Sequence, residues 1–312
     1  MNISVIIVNY NTAALLLNCV DSIVEHTQGV SYEIIVVDNH SDEADVVLLR
    51  NDSRLQLLEQ PENMGFGRAN NIGARKASGE HMLLLNPDTR LVNDAITILY
   101  NYLEEHPNTG VCGGNILDAE GQPAHSYHML LPSILSEMDF ACGQLYRRLR
   151  YGRNAQYNHT GSPLRVAMIT GADMMVRRSA WEETAGFDSA FFMYCEDADL
   201  CLRIQKQGYA IESVPQAQII HLEGKSFVET QEHCRRSLQG RFTYFRKHYS
   251  TTYNVIADTL NLLTLLLATV ICTLTLQSGP KHKYRQRLRL YWQMAYGRAP
   301  KATSSTQTIK TI

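Results

Sequence analysis

An excess of charge of either sign is nearly missing from this sequence: 29 Lys and Arg stand against 31 Asp and Glu, a net charge of −2. That balance supplies no long-range attraction to a polyanion, so nucleic acid is not expected as a partner. Paired cysteines are missing as well. Cys19, Cys112, Cys142, Cys195, Cys201, Cys234 and Cys272 are odd in number and none forms a C-x-x-C pair. This argues against a disulfide framework or a zinc knuckle and fits buried free thiols in a reducing compartment. No secretory leader is expected at the start of the chain. The first apolar run, "ISVIIV", is six residues long, has no basic stretch before it and reads as a buried strand. The sequons at Asn2, Asn51 and Asn158 are therefore expected to stay unmodified. Glycine is absent from the loop after that strand, "NYNTAALL", where a dinucleotide fingerprint or a nucleotidyltransferase phosphate loop would need it. The later glycines Gly65, Gly67 and Gly73 of "NMGFGRANNIG" do not have the G-x-G-x-x-G spacing, which sets a nicotinamide enzyme aside.

What is present is an ordinary folded composition, 45% hydrophobic and 19% charged, over 312 residues. That length suits two fused lobes or one large α/β domain. The first third alternates: strands at 3–8, 33–37, 55–59 and 81–86, helices at 13–26, near 68–77 and at 93–105, with a helix or loop through the forties. Strands apolar throughout, separated by amphipathic helices, predict a mostly parallel sheet covered on both faces. Ligands in such sheets bind beyond the carboxyl ends of the strands. Asn9-Tyr10-Asn11, Asp38-Asn39 and Asn86-Pro87-Asp88 fall there. The stretch of about 113–165 is irregular and carries a basic run, Arg147 to Arg153. Order returns with a strand at 166–176, a helix from near Glu196 through Gln207 and a strand ending in "IIHLEGKS". No internal repeat is visible.

Several residues carry candidate chemistry. Asp38, at the tip of "IIVVD", can accept from ribose hydroxyls or close an Asx-turn or N-cap. Gly65, Gly67, Asn70 and Asn71 let backbone and amides approach a phosphate or ribose, or simply turn the chain into a helix. Asp88 is a turn residue unless it converges with His221, in which case Mg²⁺ or Mn²⁺ shared with diphosphate oxygens is the natural ligand. The densest stretch is "FFMYCEDADLCLRI", Phe191 to Ile204, with three acids among apolar neighbours. Asp199 and Arg203 are one turn apart and suit an i,i+4 pair, while acids in a first turn suit the helix dipole. Asp197 has no local partner. Behind "FFMY" it is either desolvated into a general base or a plain helix-start acid.

Taken together, "SVIIVNYN", "IIVVDNHS", "ENMGFGRANNIG", "LLLNPDT" and the run from "TGADMMV" through "FFMYCEDADLCLRI" to "IIHLEGKS" resemble the inverting family 2 glycosyltransferases. The likeness covers roughly residues 3–226, and its nearest branch is rhamnosyltransferase-like. It implies a GT-A fold and a set of roles. Tyr10, Asn11 and Asp38 would hold the nucleoside, with Asn71 and the Gly65–Gly67 loop beside it. Asp88 would bind Mg²⁺ or Mn²⁺ where the family has DxD, Asn86 standing in for the first acid and His221 completing the shell. Asp197 matches the catalytic base and Glu196 would orient the acceptor. The branch implies a dTDP-rhamnose donor and synthesis of bacterial surface polysaccharide. The rival is a nucleotide-sugar-binding component of an assembly complex without turnover, for which Asn86 is the argument.

Residues 259–276, "TLNLLTLLLATVICTLTL", hold no charge but five threonines, and "KHKYRQRLRLYWQ" follows. A single span would put that basic segment on the wrong side, so an apolar segment lying in the interface with a basic helix on anionic lipid fits better, the other alternative being a buried helical pair or dimer contact. A cytoplasmic enzyme attached to the inner face of the membrane would meet a lipid-linked saccharide acceptor. The expected division is 1–112 for the nucleotide sugar, 113–230 for acceptor and catalysis, 231–300 for a helical, membrane-interfacial region and 301–312 for a disordered tail.

Overall fold

In the computed structural model, residues 1–222, 231–275 and 278–296 are described. The expected tail at 301–312 and the "EGKS" end of the last strand lie outside them. The apolar runs of the first third become β1 (Ile3–Asn9), β2 (Tyr32–Asp38), β3 (Leu55–Glu59) and β4 (His81–Leu85). Between them run α1 (Ala13–His26), α2 (Glu43–Arg50) and α3 (Phe66–Lys76). Every residue of β1 and β4 is buried, as two covered faces require. The period-2 alternation sorts β1 between them: Ile3, Val5 and Ile7 join the core under α1, and Ile6 joins the core on the opposite face.

Beyond β4 come β5 (Thr89–Leu91), α4 (Ala95–Glu105), β6 (Thr109–Leu117) and β7 (Tyr127–His128). The middle third then forms α5 (Ile134–Ala141), α6 (Leu145–Tyr151) and a 3₁₀ turn. After these follow β8 (Leu164–Arg165), β9 (Met168–Ile169), β10 (Asp173–Arg177), α7 (Arg178–Thr184), α8 (Glu196–Lys206) and β11 (Ala210–His221). The nine-stranded sheet runs β3-β2-β1-β4-β10-β6-β11-β5, with β8 on β11.

The expected parallel sheet holds over β3-β2-β1-β4 and again between β6 and β11. β10, however, enters antiparallel between β4 and β6, so the whole sheet is mixed. An antiparallel partner needs no crossover helix, which is how a strand from the irregular middle third reaches the centre. The single strand expected over 166–176 is two: β9 pairs with β7 in a separate small sheet, and the chain turns at Gly171-Ala172 before β10 joins the large one. Strands from both sides of residue 112 thus share one sheet.

The chain forms two compact units, one from Met1 to Ala257 and a second from Asp258 on. The first contains α9 (Gln231–His248) and the start of α10 (Thr251–Leu274); α11 (Ser278–Tyr296) lies in the second. By length and composition α10 can cross a membrane, with a mean hydropathy of 2.1 over its most apolar 18 residues. Leu263, Leu266, Leu267, Val270, Ile271 and Leu274 of this helix are exposed.

Candidate active site

The parallel register sets the first corner. Asn9 pairs with Asp38 across the tips of β1 and β2, and its Nδ2 donates to Asp38 Oδ1 at 2.9 Å and Asp45 Oδ2 at 2.8 Å. Asp38 also accepts from Ser41 N at 3.1 Å, the Asx-turn foreseen as its alternative, and is buried. Asn11 sits at φ 56 and its Oδ1 accepts from Asp42 N at 2.7 Å, bracing this corner rather than reaching out of it. Tyr10 is exposed and leaves its ring to the solvent side. Asn9 carries the corner's hydrogen bonds, and only the strand register reveals that.

The glycine loop owes its glycines to another segment of the protein. Gly65 has φ +83, and a Cβ there would lie 2.1 Å from the carbonyl oxygen of Phe192. That carbonyl accepts from Phe66 N at 2.9 Å, so the loop and the acidic segment are joined backbone to backbone. Asn39 ties the same loop to the β2 tip, accepting from Met64 N at 2.8 Å. Gly67 is buried beside Phe187 and the Cβ of Glu196. Asn71 departs from its expected role: its Nδ2 donates to Phe187 O at 2.8 Å and its Oδ1 accepts from Phe187 N at 3.0 Å. Both ends of its amide are used to fix a loop 116 residues away, which no local pattern could disclose.

The second corner gathers Asn86, Asp88 and His221. Pairing of β5 with the end of β11 sets His221 opposite Thr89. His221 Nε2 lies 3.1 Å from Asp88 Oδ1 and 3.4 Å from Asn86 Nδ2. Residues 133 and 135 positions apart in sequence therefore converge, as the metal reading required. Among the described residues no group of three His, Cys, Asp or Glu could hold a metal ion. One carboxylate, one imidazole and one amide oxygen suit Mg²⁺ or Mn²⁺ only when a ligand such as a diphosphate supplies further oxygens.

The third corner is the start of α8. Tyr194 and Cys195 both sit in the left-handed region, at φ 72 and φ 67, and neither is glycine. Two such residues in succession cost on the order of 1–3 kcal/mol each, a strain that clusters at functional sites. They turn the chain so that Glu196 and Asp197 open the helix. Glu196 is buried, with Oε2 lacking a hydrogen-bond partner among the described residues, and Asp197 is half-buried. Burial raises both carboxyls above their ordinary range, and the charge of Asp197 raises Glu196 further. Backbone N–H groups of Ala198, Asp197 and Gly171 act the other way on Asp197 and favour its ionised form. One proton shared by the pair therefore rests on Glu196 and leaves the charge on Asp197.

Asp199 is structural, as its pairing with Arg203 suggested: Nε is 2.8 Å from Oδ2. Lys247 and His248 of α9 add bonds of 2.7 Å each to its other oxygen, locking α8 to α9. The turn at Gly171-Ala172 joins the last two corners. Its Gly171 N–H helps to lower the pKa of Asp197, and its Ala172 carbonyl accepts from Asn86 N at 3.0 Å.

This mixed sheet with its helices is a GT-A type glycosyltransferase fold. Residues 4–184 match the profile of glycosyl transferase family 2, and the chain belongs to that family. A profile described as the N-terminal domain of galactosyltransferase matches residues 152–225. Among curated relatives, the chain is 28% identical to the O-antigen biosynthesis protein RfbC of Myxococcus xanthus over 72% of its own length but only 17% of that protein's. It is 28% identical to the rhamnosyltransferase WbbL of Escherichia coli K12, covering 62% of this chain and 70% of the relative. It is 26% identical to the N-acetylglucosaminyl-diphospho-decaprenol L-rhamnosyltransferase of Mycobacterium tuberculosis, covering 72% and 74%. Among solved structures, a Pyrobaculum calidifontis mannosyltransferase in complex with GDP-Man and Mn²⁺ superposes with TM-score 0.57 at 17% identity, over 93% of this chain and 84% of that one. GalNAc-T7 with UDP, GalNAc and Mn²⁺ gives 0.56 at 17%, over 95% and 56%.

Proposed function

We propose that the protein is an inverting glycosyltransferase that moves a sugar from a nucleotide-sugar donor to a lipid-linked saccharide acceptor in bacterial surface polysaccharide synthesis. The donor is dTDP-rhamnose. The names of the Escherichia coli and Mycobacterium tuberculosis relatives support the sugar, and that of the latter supports a lipid-linked acceptor. The observation that carries the reading is the acid pair of buried Glu196 and half-buried Asp197, next to the two-residue turn whose carbonyl holds Asn86 of the Asn86–Asp88–His221 cluster.

Asp197 takes the proton from the acceptor hydroxyl as its oxygen attacks the anomeric carbon, and the donor's diphosphate leaves from the opposite face. Glu196, protonated, orients the acceptor by donating a hydrogen bond. Tyr10, Asn11 and Asp38 with the Gly65–Gly67 loop border the nucleoside, where Asp38 keeps lone-pair capacity beyond its two bonds and Tyr10 offers a ring face. Asp88, His221 and Asn86 would hold Mg²⁺ or Mn²⁺, which when bound neutralises charge on the diphosphate. The enzyme works on the cytoplasmic face of the membrane, held there by the apolar surface of α10.

Replacing Asp197 with Asn tests this. General-base help is worth roughly 10²–10⁴-fold, so transfer should fall by that factor with donor affinity retained. Transfer at the wild-type rate removes Asp197 as the base. Asn86 favours a second reading, a donor-binding protein without turnover, because it removes one negative charge from the metal corner. Tight donor binding with no transfer to any acceptor in the wild-type protein would establish that one.

A further inference from the structure

Helices α5 and α6 form a hairpin whose apolar side chains point away from the protein. Leu135, Met138 and Phe140 on the first helix and Leu145, Tyr146 and Leu149 on the second are all exposed, Leu149 by 78%. No residue of α6 is buried, although four of its seven residues are Leu or Tyr. Leu145 and Leu149 are one turn apart and share a face with Tyr146. A soluble surface scatters such residues singly; six on two short helices mark a contact.

The charges identify what is contacted. Between residues 134 and 155 the only acids are Glu137 and Asp139. Asp139 is buried and bonded to Arg147, and Glu137 is bonded to Arg241 of α9 at 2.7 Å. Arg148, Arg150 and Arg153 are exposed. The hairpin therefore shows the exterior a group of large apolar side chains edged only by cations.

We propose that the α5–α6 hairpin docks on an anionic lipid bilayer, its apolar side chains entering the headgroup boundary and its arginines meeting lipid phosphates. Its root lies at the acidic segment: Arg241, which bonds Glu137, also acts electrostatically on Cys195, next to Glu196. Tyr253 further ties the hairpin down, its hydroxyl oxygen accepting from Ile134 N at 2.8 Å. Docking here sets the mouth of the proposed acceptor site against the membrane, and that consequence rests on the transferase reading. The docking itself does not.

Cys142, in the turn between the two helices, is exposed, whereas the other cysteines are buried or half-buried. A polarity-sensitive fluorophore on Cys142 of the full-length protein reports the hairpin directly, with no donor or acceptor present. Vesicles of phosphatidylcholine with phosphatidylglycerol should shift its emission to the blue, and bromine-bearing acyl chains should quench it; pure phosphatidylcholine should do much less. Arg148→Gln with Arg150→Gln should weaken the response about 30-fold, at roughly 1 kcal/mol per arginine. Leu145→Asp with Leu149→Asp should abolish it, with unchanged melting temperature showing that the fold survives. If the protein sediments with vesicles while the Cys142 emission stays put, another surface makes the contact and the proposal falls. A blue shift that follows protein concentration without lipid assigns the patch to a second copy and overturns it equally. Donor titration of the same variants keeps this result distinct from any failure of the transferase reading.

Discussion

Replacing Gly65 with Ala probes the joint between the glycine loop and the acidic segment. Gly65 adopts φ 83 and ψ 172, a region that residues with a Cβ hardly enter. The new methyl would lie 2.1 Å from the Phe192 carbonyl oxygen and 2.9 Å from its carbon, and neither is the end of a flexible side chain. Strain of about 1–3 kcal/mol and a packing conflict of about 1–3 kcal/mol add to about 2–6 kcal/mol of lost stability. At roughly 2–4 °C per kcal/mol, the melting temperature should fall by about 5–20 °C. Gly121→Ala separates the two contributions, because Gly121 also has positive φ, +74, but nothing lies within 4 Å of its added Cβ. It should cost only about 1–2 kcal/mol. Calorimetric melting of both variants and transfer assays below the lower melting point give the answer. Gly65→Ala should also lose at least tenfold in transfer, since Phe192 precedes Glu196 by one short turn. Equal melting points for the two variants, or full activity in Gly65→Ala, would refute the joint.

The acid pair sets the pH dependence. Asp197 works ionised and its pKa is raised by burial, so the acidic limb of kcat/KM should lie above the ordinary aspartate value of about 4. Glu196 is still protonated where Asp197 titrates, so Glu196→Gln, neutral as well, should leave that limb in place; a limb that moves to lower pH would show that the proton does not rest on Glu196. The same change should stabilise the fold in alkali. Glu196 has a raised pKa when folded, so folding favours its protonated form and stability is lost as pH rises through the raised value. Glu196→Gln should therefore melt higher than wild type at pH 8 and not at pH 4. Asp88→Ala should weaken donor binding measured with Mn²⁺ at least tenfold and leave binding measured without metal nearly unchanged, by calorimetric titration.

Legibility followed the range of the forces involved. β1, β2 and β4 could be read because both faces are covered, so nearly every position is apolar and the run is unambiguous. The Asp199–Arg203 bond was visible because one helical turn brings the two together. Lys247 and His248, which share Asp199, come from another helix and left no local trace. The middle third was opaque because its elements are at most eight residues long and owe their form to contacts such as Tyr253 with Ile134. Asn71 has a local motif, but the partner that uses its amide lies far along the chain. Tyr194 and Cys195 hid their left-handed turn by not being glycine.

That hidden turn bears on how the site works. Glycine at residue 194 or 195 would adopt the same conformation without strain. Tyrosine and cysteine hold it only because their surroundings do: the Phe192 carbonyl is fixed by Phe66 N, and α9 is bolted to α8 through Asp199. The nucleoside-side loop reaches the same carbonyl from the other direction, through Asn39 and Met64. A displacement of the Gly65 loop must therefore move the backbone that leads to Glu196 and Asp197. Donor affinity and transfer rate should change together for substitutions in that loop, whereas Asp197→Asn should change the rate alone. Loop variants that shift donor affinity with no effect on rate would show that the two corners work independently.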